Sequence, residues 1–174
     1  MSDDWRMLTL IGQDAPGIVA GVTAALADSG VTLGETSMLR LGGNFTIMMM
    51  IAGDARDEDL RQLLEPVVSA HAMRLHIDPI DAHLHQHLVP NVQVTVSGAD
   101  RVGIVAQVTS ALAEGGFNIL DLDSDVAGSE QKPVYILLIS GIASESVERV
   151  EQRLDPLRRS GVSVNVSAID TYIG

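Results

Sequence analysis

The run Gly17-Ile-Val-Ala-Gly-Val-Thr-Ala-Ala-Leu-Ala27 returns as Gly103-Ile-Val-Ala-Gln-Val-Thr-Ser-Ala-Leu-Ala113, changed only at Gly21/Gln107 and Ala24/Ser110. The correspondence extends outward at the same offset: Gly12 to Gly98, Asp14 to Asp100, Gly30 to Gly116, Leu33 to Ile119 and Glu35 to Asp121. Repetition on this scale marks a duplicated supersecondary unit, and it constrains the fold more than any single motif does. With 174 residues to divide, two small domains are expected at 1–81 and 91–174, joined by a linker at 82–90.

Each copy reads as strand, helix, strand, strand, helix, strand. Arg6 to Ile11 is a short apolar stretch running into the turn Gly12-Gln-Asp-Ala-Pro-Gly17. The following helix carries Ile18, Val22 and Leu26 as a large apolar stripe and Ala20, Ala24 and Ala27 as a small-residue face, expected to pack on a second helix. Gly42-Gly43 is the turn of a hairpin, Asp54 to Ala72 a second helix that Pro66 should bend or interrupt, and Arg74 to Asp81 the last strand. In the second copy the hairpin strands are Asn118 to Val126 and Val134 to Ser140, with an insertion between them. The fold class is therefore α+β: two tandem ferredoxin-like βαββαβ units with antiparallel sheets. In Phe45-Thr-Ile-Met-Met-Met-Ile51, and again in Tyr135 to Ile139, polar and apolar residues scarcely alternate, so both faces of each sheet are expected to be covered, by a homodimer if not within the chain.

The formal charge of −12 argues against direct nucleic-acid binding, which depends on Lys and Arg neutralising phosphates. Aromatic residues make up only 3%, too few for a base-stacking platform. A regulatory role would then run through another protein or a small ligand. The absence of cysteine excludes disulfides, thiolate metal sites and cysteine nucleophiles. The start Met-Ser-Asp-Asp-Trp-Arg does not read as a signal peptide and no apolar run has the length of a membrane span, so a cytoplasmic location is expected.

Catalytic groupings do not stand out. No Ser, His and Asp arrangement sits in a nucleophile elbow, and no carboxylate pair recurs in both copies. His83, His85 and His87 would share one face of an extended linker and suit a divalent metal, although a polar, solvated linker is the commoner reading. What does recur is Asp-x-x-Gly before the first helix, as Asp14 to Gly17 and Asp100 to Gly103. A helix N-terminus offers unpaired N–H groups and a positive dipole end to an anion, and a carboxylate beside it offers a partner to a cation. Together they suit a zwitterion such as an amino acid. The alternative is that Asp14 and Asp100 only cap the helices.

The strand, the Asp-x-Pro-Gly turn, the helix ending in glycine and the downstream Gly116-Phe-Asn-Ile119 resemble the ACT domain, a small-molecule regulatory module of amino-acid metabolism. The resemblance covers Met7 to Asp81 and Val92 to Tyr172 and implies a regulatory, non-enzymatic protein without a cofactor. Within that family the tandem, stand-alone arrangement is similar to glycine cleavage system transcriptional repressors. It implies an amino-acid ligand, glycine favoured, and a DNA-binding regulator as protein partner. Ligand-binding residues carried over are Asp14, Pro16, Gly17 and Ile18 in the first copy, and Asp100, Arg101, Gly103, Ile104 and Asn118 in the second. Thr32 stands where Asn118 does, and Val102 where Pro16 does, so the two sites should not be equivalent. The alternative function is a protein-interaction module that modulates an amino-acid-pathway enzyme and binds no ligand.

Overall fold

The computed structural model describes residues 5–81, 88–99, 102–129 and 132–169. The chain divides into two compact units, Met1–Leu84 and His85–Gly174. In the first, β1 (Arg6–Gln13), α1 (Ile18–Asp28), β2 (Thr32–Leu41), β3 (Asn44–Ala52), α2 (Asp57–Ala70) and β4 (Arg74–Pro79) follow in order. The second repeats that order as β5 (Val92–Ala99), α3 (Ile104–Glu114), β6 (Asn118–Ser129), β7 (Lys132–Ile142), α4 (Val147–Arg159) and β8 (Ser163–Ala168). Each unit has one four-stranded antiparallel sheet, ordered β2-β3-β1-β4 and β6-β7-β5-β8. This is the tandem βαββαβ fold read from the sequence.

The cores follow from the helical and strand periods. Ile18, Val22 and Leu26 recur at helical spacing along α1, and all three are buried. They meet Leu8 and Leu10 of β1, Ile47 and Met49 of β3, and Leu60 and Leu64 of α2. Ile104, Val108 and Leu112 of α3 do the same over the second sheet. Fully burying each such aliphatic side chain contributes about 1.5–3 kcal/mol.

Four details differ from the sequence reading. The first concerns the sheet faces: β3 alternates in burial although not in polarity, with Met49 fully buried and Met48 44% exposed. The helices cover one face of the first sheet, and Ile11 and Met48 on the other remain open at 41% and 44%. Second, Ala20, Ala24 and Ala27 are exposed, and α1 approaches α2 through Gly21, where an added Cβ would lie 3.2 Å from Cγ2 of Val67. The residue without a side chain made the close contact, not the alanine stripe. Third, α2 and α4 run through Pro66 and Pro156 without interruption. The carbonyls that each proline frees, on Gln62 and Gln152, belong to exposed residues and can turn to water. Fourth, the second hairpin stays paired as far as Ser129 and Lys132, taking in the expected insertion. Pro133 is tolerated there because β5 ends its pairing at Val134, so no ladder bond is asked of the proline on that side.

The copies fasten the turn before their second helix differently. Arg6 donates to Asp57 and to the Gly53 carbonyl, each at 2.9 Å. In the second unit Val92 stands in place of Arg6, and Asn91 donates to the Ala143 carbonyl at 3.0 Å and accepts from its N–H at 2.9 Å. The outer strands are also guarded. Arg61 donates to the Leu75 carbonyl on β4 at 3.2 Å, and Arg158 to the Val164 carbonyl on β8 at 2.9 Å. Occupying a carbonyl in this way hinders a further strand from joining that edge.

In the second unit Arg153 grips Glu145 with two hydrogen bonds of 2.7 Å. These bonds hold the Glu145 carboxyl below its ordinary value of 4.5 against the opposing effect of desolvation, and the charges of Arg153 and Arg149 add to the shift. A carboxyl depressed on folding contributes stability above its unfolded pKa and loses that contribution as pH falls through its folded value. Arg153→Gln is therefore expected to lower the melting temperature at neutral pH. The difference from the parent should shrink as pH falls below 4.5, followed by thermal melts across an acid series.

Candidate functional site

The repeated turn is built alike in both units where it is described. Gly17, with φ 92°, and Gly103, with φ 89°, are the N-cap residues of α1 and α3, both left-handed. Their carbonyls accept the first helical hydrogen bonds, from Gly21 at 2.9 Å and Gln107 at 3.0 Å. Among the described residues neither helix has a side-chain cap or an acidic residue in its first turn. Glycine is required because a side chain at this φ costs roughly 1–2 kcal/mol. Its hydrogen in place of a side chain leaves the helix end bare: a Cβ on Gly17 would meet nothing within 4 Å, and one on Gly103 only the Gln107 amide nitrogen at 4.0 Å. The first-turn amides have no partner inside an α-helix and carry the positive end of the dipole.

Asp14 is not the cap. Its carboxylate pairs with Arg40 of β2 at 2.6 Å, and its N–H donates to the Gly43 carbonyl at 3.3 Å. The first turn is thereby tied to the hairpin tip, and Asp14 is 27% exposed against 68% for Arg40. Arg40 is the residue that the sequence reading missed. Nothing in local spacing links it to Asp14; the sheet register does, since Gln13 pairs with Asn44 and Arg40 with Phe45. The corresponding position in the second unit is Val126, which supplies no arginine.

Pro16 is exposed beside Gly17. Ile18 and Ile104 are core residues, 1% and 3% exposed, so only their backbone N–H groups are available to a ligand. Asn118 is exposed at the first position of β6, opposite Ile142 of β7. Asp100 and Arg101 lie outside the described residues, as do His83, His85 and His87. Among the described residues no group of three or more His, Asp or Glu is placed to hold a metal ion. A shallow cavity of about 200 Å³ is lined by Arg149, Gln152 and Arg153. It is smaller than the usual ligand pocket of about 300 Å³ or more. It also lies at the far end of α3 from Gly103, since a Cβ on Gly115 would meet Arg153 at 2.6 Å, and Arg153 is already engaged by Glu145. Among the described residues no helix is long and apolar enough to cross a membrane.

The family model of the ACT domain matches residues 7–78 and 91–167. Glycine cleavage system transcriptional repressor of Escherichia coli is 24% identical over 161 residues, covering 90% of this chain and 85% of that protein. A UPF0237 protein of Pyrobaculum aerophilum is 39% identical over 80 residues, which is 45% of this chain and 88% of the relative. Two solved structures share the fold along the whole chain. A protein from Galdieria sulphuraria superposes with a TM-score of 0.75 at 20% identity, over 97% of this chain and 100% of its own. A candidate glycine cleavage system transcriptional repressor superposes with a TM-score of 0.71 at 19% identity, over 98% and 100%. The chain is a regulatory protein of the ACT domain family, with two tandem modules, and is homologous to glycine cleavage system transcriptional repressor.

Proposed function

We propose that the protein is a cytoplasmic, non-enzymatic amino-acid sensor, with domains at 1–81 and 91–174 and a linker at 82–90. In this reading it controls transcription of glycine cleavage by contacting a DNA-binding regulator, without touching DNA itself, and acts as a homodimer. Glycine is the favoured ligand, on the strength of the homologous repressor. The observation that carries the proposal is the pair of left-handed glycine N-caps at Gly17 and Gly103, where an added Cβ would make no contact closer than 4.0 Å. The second unit is the better site. There the position of Arg40 is held by Val126, and this reading assigns Asp100 to a ligand ammonium and Asn118 to a further hydrogen bond. The interaction-module reading draws support from the first unit, where Asp14 is taken up by Arg40.

Calorimetric titration with the twenty amino acids, beside thermal melts of the same samples, tests the proposal. Selective binding of one or a few amino acids is expected, lost in Gly103→Val because the β-branched side chain stands over the amides. The positive φ means that this variant also loses roughly 1–2 kcal/mol of stability, so melts must show it folded at the titration temperature. Silence towards every amino acid would leave the interaction module as the better account.

A further inference from the structure

The two hairpins meet the turns before α1 and α3 differently. Residues directly opposite one another in a sheet share a face. In the first sheet Gly12 of β1, Phe45 of β3 and Arg40 of β2 stand on one line across the strands, and Phe45 is buried under the helices. Arg40 therefore rises on the side where α1 begins, and its guanidinium reaches the Asp14 carboxylate at 2.6 Å. A second contact holds the hairpin tip to the turn, the Asp14 N–H donating to the Gly43 carbonyl at 3.3 Å. The second sheet repeats the line as Gly98, Tyr135 and Val126, so the register itself makes Val126 the counterpart of Arg40. Its hairpin also stays paired beyond Ala127 and Val134, the pair that matches Leu41 and Asn44, through Gly128 opposite Pro133 to Ser129 opposite Lys132.

We propose that Arg40 is an autoinhibitory residue: its guanidinium holds the carboxylate that a ligand ammonium would take, so the first site is closed and the chain binds one amino acid, at the second unit. The inference rests on the amino-acid sensor of the proposed function and gives the reason its two sites are unequal. An ammonium can reach Asp14 only by displacing Arg40, and the two groups, 2.6 Å apart, leave no room for a zwitterion between them. Exposed ion pairs are weak, and Arg40 is 68% exposed against 27% for Asp14, so breaking the pair alone lowers affinity by up to about fivefold. The displaced guanidinium adds to this. It stays tethered to β2, and within the roughly 8 Å over which charges act at physiological salt it repels the incoming ammonium. The second unit carries no such charge on that line, because Val126 is apolar.

Calorimetric titration of the full chain with each of the twenty amino acids reads the number bound, with thermal melts to confirm folding. The parent is expected to bind one equivalent and Arg40→Val two. In the Gly103→Val background, where the second site is lost, binding should be about tenfold weaker or undetected while Arg40 is present. Arg40→Val should restore one equivalent there, and Asp14→Asn added to it should remove that equivalent again. Arg40→Lys keeps the charge and should stay closed, and Arg40→Ser takes the place of the valine variant if the latter melts early. Two equivalents of like affinity in the parent overturn the proposal, as does an Arg40→Val chain that still binds one. So does binding at the first unit that Arg40→Val weakens, since Arg40 would then hold the ligand. Silence of the parent and every variant counts against the sensor itself, and the closed site falls with it; a parent that binds, with no gain in Arg40→Val, counts against the closed site alone.

Discussion

Gly141→Ala is expected to destabilise the second unit severely while leaving the first largely intact. Gly141 lies near the end of β7, a central strand, opposite Val92 on one side and Ile119 on the other. A Cβ there would run into the carbonyl oxygen of Asn118 and the ring of Phe117. The obstruction is partly backbone, at the start of β6, and no rotamer change can relieve it. Overpacking a core typically costs 1–3 kcal/mol; with main chain in the way, a loss of about 3 kcal/mol or more is expected. That is a large share of the roughly 5–15 kcal/mol that holds a small domain together. The only tryptophan, Trp5, is in the first unit, so the units can be followed separately. In urea, circular dichroism should show an early transition absent from the parent, while tryptophan fluorescence keeps its midpoint. Gly98→Ala is the control, because a Cβ there would make ordinary contacts of 3.6 Å or more, and little change or a slight gain is expected. Equal melting of parent and Gly141→Ala would show that β6 can move aside.

The duplication made the fold legible, because element order, helix stripes and turn glycines are local signals that occur twice. What escaped were features set by pairing between distant strands. Gly141 looks like the counterpart of Gly53 in the sequence, but the register sets it opposite Val92 where the first unit has Ile51 opposite Arg6, and what it answers there is a collision. The candidate site divides along the same line. The glycines at 17 and 103 were readable as the residues that hold the helix end open, since their conformation depends on their immediate neighbours. The role of Asp14 was not readable, because β3 separates it from Arg40 in the sheet order and only the register brings the two side chains together. The two copies of the motif thus differ at a distant position, Arg40 tying the first carboxylate to its hairpin where the second repeat has Val126.

Met48, Met49 and Met50 pose the same problem most sharply, since three identical neighbours give no hint of which one the core holds. The structure assigns that place to Met49, which is fully buried and pairs with Leu8 on β1, within the cluster that includes Ile18 and Leu64. Met49→Ala is expected to lower the stability of the first unit by about 2–5 kcal/mol, through lost transfer energy and the cavity left under α1 and α2. Met48→Ala is expected to change it by about 0.5 kcal/mol or less, because a side chain that is 44% exposed has little packed over it. Urea unfolding followed by Trp5 fluorescence reads both variants in the unit concerned. Comparable losses for the two methionines in dilute solution would mean that β3 is covered on both faces within a single chain, and the run from Phe45 to Ile51 would then have been rightly read as a strand with no open side.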